Sequence, residues 1–140
     1  MAITLKGKAV IPGAVDGKAI VSKEPLSFWG GVNPDTGEVI DRRHDCSGKM
    51  LADTIFVFPN GKGSSTGSAV LMECAKNHVA PAAIINSKLE PILALGAVIV
   101  EVLYQKTIPM VVLSEEDLGK IQENDHVSVE LDGSIIIHTS

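Results

Sequence analysis

The chain reads as an α/β domain with a central parallel βαβαβ unit and flanking β-hairpins. Three observations predict this: short apolar runs of buried type at Ile55–Phe58, Ala82–Asn86 and Met110–Leu113, helical patterns between them, and turn-bounded β-branched runs at both ends. Parallel strands buried on both faces have this unbroken apolar look, and right-handed crossovers link them.

Taken in order, Ile3–Val10 and Gly17–Ser22 are β-branched-rich runs separated by Pro12-Gly13 and Asp16-Gly17, which predict a hairpin or neighbouring strands. Phe28 to Lys49 is rich in Gly, Asp, Asn and Arg and reads as long irregular structure with a short extended piece at Glu38–Ile40. Loops of that length are often functional. Pro59-Asn60-Gly61 ends the Ile55 strand. Val70, Leu71, Cys74 and His78 then recur at helical spacing from about Gly67 to Asn77, with Ala80-Pro81 closing that helix. A second helix starts at Pro91, a favoured first position, and runs to about Gln105, with Leu95, Val98, Ile99, Val102 and Leu103 as its apolar stripe. Ser114 followed by Glu115, Glu116 and Asp117 caps a short helix through about Ile121. Asp132-Gly133 joins His126–Leu131 to Ser134–His138 as a hairpin.

At 140 residues the chain has room for one domain, and 45% hydrophobic with 21% charged residues suits a globular protein with a core. The net charge of -5 argues against nucleic-acid binding, which needs a basic face. No run reaches the roughly 18 apolar residues of a membrane span. The N-terminus lacks an apolar signal core, so a cytoplasmic, unprocessed protein is expected. The cysteines, Cys46 and Cys74, form no CxxC pair, so reduced thiols and no metal site are expected.

The segment Gly61–Ser68, GKGSSTGS, links a strand to a helix N-terminus, where free N–H groups and the helix dipole suit an anion. It is not a P-loop: Phe56 stands where the first glycine belongs, and Gly63 follows the lysine. The dinucleotide fingerprint fails at Thr66. It also lacks the serine bracketed by glycines of a hydrolase elbow. Two readings stay open on the residues alone. Either a serine or threonine caps the helix, or a serine is catalytic with its alkoxide stabilised by loop amides, the dipole and Lys62.

Several ordered motifs resemble the small subunit of the aconitase X family: Phe28 to Gly37 (FWGGVNPDTG), Asp41 to His44, Gly61–Ser68, Ala80 to Ile85 and Leu95-Gly96-Ala97. The likeness covers nearly the whole chain. It implies a swivelling β/β/α domain that works with a large catalytic subunit carrying an iron–sulfur cluster. The joint activity would be dehydration of a small anionic hydroxy acid, such as mevalonate 5-phosphate or cis-3-hydroxy-L-proline. The longer Leu103–Thr107 segment leans toward the hydroxyproline type. With two cysteines the chain cannot supply the thiolates a cluster takes, so this chain alone would bind none.

In such swivel domains a Gly-Ser-Ser-Arg run carries the serine general base. Gly63-Ser64-Ser65 aligns with its first three positions, making Ser64 the candidate base. Thr66 replaces the arginine. Substrate binding then falls to Lys62, Gly63, Ser65 and Thr66, with Arg43 and His44 of the polar loop as further contacts or, equally, as solvated loop residues. Trp29 reads as core, with an interface anchor as the alternative. The competing reading from another class is a non-catalytic, anion-binding regulatory swivel module of a partner enzyme.

Overall fold

The first apolar run does not form one strand, and the way it breaks organises the sheet. A computed structural model describes residues 2–60, 66–89 and 91–138. Its elements are, in order, β1 (Ala2–Lys6), β2 (Lys8–Ile11), β3 (Val15–Val21), β4 (Ile55–Val57), α1 (Thr66–Lys76), β5 (Ala83–Asn86), α2 (Pro91–Tyr104), β6 (Met110–Val112), α3 (Glu115–Leu118), β7 (His126–Val129) and β8 (Ser134–His138). Strand order is β1-β8-β7-β3-β4-β5-β6-β2, so β1 and β2, separated only by Gly7, lie at opposite ends of it. The expected N-terminal hairpin is therefore absent: β1 pairs with β8 and β2 with β6, both antiparallel.

Gly7 makes this possible. Its N–H donates to the Gly133 carbonyl at 3.2 Å, and an added Cβ would lie 2.7 Å from that oxygen and 2.4 Å from Val111 Cγ1. The chain passes from one half of the sheet to the other here, against the β7–β8 turn. That turn is the hairpin expected at Asp132-Gly133: the Gly133 N–H donates to Glu130, the Glu130 N–H to Ser134, and Gly133 has φ 90°. This is a three-residue loop in which glycine takes the left-handed position.

β3, β4, β5 and β6 are parallel neighbours, and β4-α1-β5-α2-β6 is the predicted βαβαβ unit. β3 joins both halves, pairing Val15–Lys18 with β7 and Ala19–Val21 with β4. Side chains alternate across β4. Ile55 and Val57 enter a core with Ala83, Ile85, Val127, Val129, Ile135 and Ile137, while Phe56 and the following Phe58 enter a second core with Leu71, Cys74, Leu93 and Val100. The layers are thus antiparallel sheet, parallel sheet and helices. The long segment after β3 is irregular, as expected, with isolated bridges Val32–Val39 and Glu38–Met50. Its Leu26, Phe28, Val32, Val39 and Leu51 are buried in the helix-side core, so it packs as part of that layer.

α1 closes earlier than Ala80-Pro81. The Val79 N–H reaches the Cys74 carbonyl at 2.9 Å and the His78 N–H that of Ala75 at 3.1 Å, with His78 at φ 61°, a Schellman motif. α2 corrects a second expectation. Its buried residues are Leu93, Gly96, Ala97 and Val100, whereas Leu95, Val98, Val102 and Leu103 of the predicted core stripe are exposed. The inward face is the small one because α1 comes close: a Cβ on Gly96 would lie 3.1 Å from the backbone Cα of Ser68. Trp29 is likewise 62% exposed rather than core.

The crossing at Gly7 yields a direct test. Gly7→Ala is expected to cost about 1–3 kcal/mol because the new methyl meets backbone that cannot move aside. Urea unfolding should show a lower midpoint with an unchanged slope.

Candidate functional site

Parallel strands carry their ligand sites beyond their C-terminal ends. Here that end gathers Val21 and Ser22 at the end of β3, Phe58–Asn60 after β4, Asn86 and Ser87 at the end of β5, and the first turn of α1. The chain leaving β4 is held on both sides. On one side Ser22 N–H donates to Val57 O at 2.8 Å, and Leu26 N–H to Asn60 O at 3.3 Å. On the other, Asn86 Nδ2 donates to Phe58 O at 2.9 Å and the Ser87 N–H to Pro59 O at 2.9 Å. Asn86 is buried, so its amide replaces strand pairing where the sheet ends. A cavity of about 310 Å³ opens at this end between Val57, Pro59, Ser87 and Lys23 on one wall and Leu118 and Ile121 on the other.

Lys62, Gly63, Ser64 and Ser65 lie outside the described residues. The flanks of that segment are described: Asn60 leaves β4, and Thr66 is the first residue of α1. α1 has no acidic residue in its first turn, so nothing there opposes its positive end. Its start packs on the long loop, since a Cβ on Gly67 would touch Phe28 Cβ at 4.0 Å.

His44 and Arg43 part company. Arg43 is exposed beside a cavity of about 520 Å³ that it shares with Glu24, Pro25, Asp41 and His44. No ion pair among the described residues holds it. His44 is 6% exposed and embedded in a polar cluster. Its Nε2 lies 3.3 Å from Ser22 Oγ and 3.4 Å from Glu24 O, and its Nδ1 accepts the Cys46 N–H at 3.1 Å. Nδ1 is also 3.2 Å from Asp45 Oδ1. An Nδ1 that accepts an N–H carries no proton, so the ring hydrogen sits on Nε2 and the Asp45 contact is no ion pair.

Asp45 is served elsewhere: Ser22 Oγ–H donates to Oδ1 at 2.6 Å and Lys23 N–H to Oδ2 at 2.9 Å. Burial pushes its carboxyl up, but these two donors outweigh it and leave it below the usual 3.8. Ser22 and Asp45 thus tie the long loop to β3. Sequence reading missed them, and Asn86 with them. The one available signal was a polar residue closing each apolar strand run, at AIVS and AIIN.

His44, Asp45 and Cys46 bring one ligand atom each within 4.8 Å of one another. They do not fit a metal, because Nδ1 is engaged by the Cys46 amide and the Cys46 thiol is pushed up to about 11, by burial first and then by Asp45. Burial raises Cys74 to about 11 as well. Both thiols are free and buried. Two protonated thiols do not fit an iron–sulfur cluster either. Among the described residues, no helix is long and apolar enough to cross a membrane.

Known proteins resemble this architecture closely. The family described as the aconitase X swivel domain matches residues 4–138. The phosphomevalonate dehydratase small subunit of Methanocella arvoryzae is 44% identical over 133 residues, 94% of this chain and 96% of that one. A cis-3-hydroxy-L-proline dehydratase of Hypocrea jecorina is 43% identical over 124 residues, 89% of this chain but 21% of that much longer one. A chain of the crystal structure of Thermococcus kodakaraensis aconitase X in its holo-form superposes with a TM-score of 0.89 at 41% identity, covering 98% of this chain and 99% of that one.

Two outcomes follow from the polar cluster. Asp45 has a lowered folded pKa, so its contribution is complete above about 3.8 and is lost as the pH falls through the lower folded value. Asp45→Asn should therefore be less stable than wild type at pH 6, with the gap closing toward pH 2 in urea titrations. At pH 8 the native protein should resist iodoacetamide, and both thiols should react once it is unfolded.

Proposed function

This chain belongs to the aconitase X swivel-domain family, and from that premise we propose that it is the small subunit of a heteromeric dehydratase removing water from a small anionic hydroxy acid. The observation that carries this reading is the junction between β4 and α1. An acid-free helix start and an anchored strand exit meet at the C-terminal end of the parallel strands, with Gly61–Ser65 between them in sequence.

In this reading Ser64 is the general base that takes the proton from the carbon next to the hydroxyl-bearing one. A serine hydroxyl needs its alkoxide stabilised, and backbone amides with the dipole of α1 are suited to that. Lys62, with the Gly63, Ser65 and Thr66 amides or hydroxyls, binds the substrate anion. Arg43, exposed and without an ion-pair partner among the described residues, adds a cation from the long loop. His44, buried among Ser22, Glu24 and Cys46, acts as a positioning residue for that loop.

The family is iron–sulfur-associated, and any cluster belongs to the large subunit, since Cys46 and Cys74 do not fit one. The same division of labour explains the missing arginine at Thr66: the large subunit supplies the remaining substrate contacts. Mevalonate 5-phosphate and cis-3-hydroxy-L-proline are the two candidate substrates, named in relatives of nearly equal identity.

Ser64→Ala, co-purified with the large subunit, should lose about 10²–10⁴-fold in kcat while subunit affinity stays at the wild-type level. Turnover within a few-fold of wild type would overturn the assignment. Assaying the wild-type pair on both compounds decides the substrate.

A further inference from the structure

Four large apolar residues of α2, Leu95, Val98, Val102 and Leu103, point away from its own domain. Leu95 is 56% exposed, Val102 73% and Leu103 60%, and with Ile92, Val98 and Ile99 they fall within one arc of about 140° at 3.6 residues per turn. That arc holds no polar residue, and Glu101, the only charge on α2, lies outside it. A helix apolar on its outward as well as its inward side is built to be covered on both.

We infer that the outer face of α2 is the docking surface for the large dehydratase subunit, an inference that rests on the heteromeric reading above. Three observations favour this occupant over a second copy of the chain. First, the face alone is too small for a stable symmetric dimer. A 14-residue helix is about 21 Å long, so this face offers on the order of 250 Å², against about 800 Å² per partner in a standard interface.

Second, the face continues toward the candidate site, which gives a large partner the remaining area. Gly96 backs onto Ser68 in the opening turns of α1, placing Leu95 at the site end, and the 57% exposed Leu89 precedes α2 there. Third, the Hypocrea jecorina relative carries a segment like this chain as 21% of its length, so the matching domain there is covalently attached to a much larger body.

The test uses the full chain and the co-expressed large subunit of the same organism. Leu95→Lys and Val102→Glu should each weaken assembly at least about 30-fold in sedimentation or titration, the effect of losing an interface hot spot. Leu131→Lys, at the exposed tip of the β7–β8 turn, should leave assembly unchanged. Unfolding midpoints of the isolated variants check that each folds. Hydroxyl-radical footprinting of the wild-type pair, which needs no variant, should show Leu95 and Leu103 protected in the complex. Wild-type affinity in both variants, or unprotected leucines, would overturn the docking face. So would an isolated chain that dimerises through α2 while its complex with the large subunit survives Val102→Glu. A wild-type chain that binds no large subunit would overturn the heteromeric reading itself.

Discussion

The fold depends on one constraint, that β4 has no polar face. Ile55, Phe56, Val57 and Phe58 are all fully buried, so the strand must be covered on both sides. Phe56 and Phe58 stack at 4.4 Å between ring centroids and lie with Phe28 under the helices and the long loop. Ile55 and Val57 need a second sheet. Burying each such side chain is worth about 1.5–3 kcal/mol, so leaving either face open would forfeit a large share of a small domain's net stability. The antiparallel half supplies that cover, and the route through Gly7 lets one chain contribute to both halves.

The same constraint places the site. A strand buried on both faces must end somewhere, and where β4 ends its backbone loses its neighbours. Asn86, Ser87 and Ser22 take over, and of the four buried polar residues among the described ones, Ser22, His44 and Asn86 all lie at this end or in the cluster joined to it. Buried polar groups with their partners in place define a single local geometry. The chain entering Gly61–Ser65 is thus fixed at its base by the Asn86 and Ser87 side chains, which bond the Phe58 and Pro59 carbonyls. The lowered carboxyl of Asp45 belongs to the same arrangement, since its two donors tie the long loop to β3.

Packing between α1 and α2 links the site to the outer surface. Gly96 and Ala97 allow the close approach at Ser68, and Leu95, Val98, Val102 and Leu103 are left on the far side. Close approach between helices selects small residues even when larger apolar ones are available. A partner lying along α2 would therefore reach the helix that begins at the candidate site.

Local chemistry made much of this legible in the sequence. The parallel strands, Pro91 opening α2, Ser114 capping α3 and the Asp132-Gly133 turn depend on neighbours a few residues away, and they stand where the residues indicated. The ends of the strand and helix that flank Gly61–Ser65, at Asn60 and Thr66, also lie where the residues indicated, while the candidate roles inside that segment came from a family resemblance carried by motifs along the whole chain. Tertiary structure alone decided three things. Gly7 splits an apparently continuous strand because Val111 and Gly133 leave no room for a side chain, a contact spanning over a hundred residues. His44 is buried because Ser22, Glu24 and the Cys46 amide surround it. α2 turns its smaller face inward because distance to α1, not hydrophobicity, chooses between two apolar sides. Periodicity can show that a helix has an apolar stripe, but only the spacing of its neighbours determines which stripe is core.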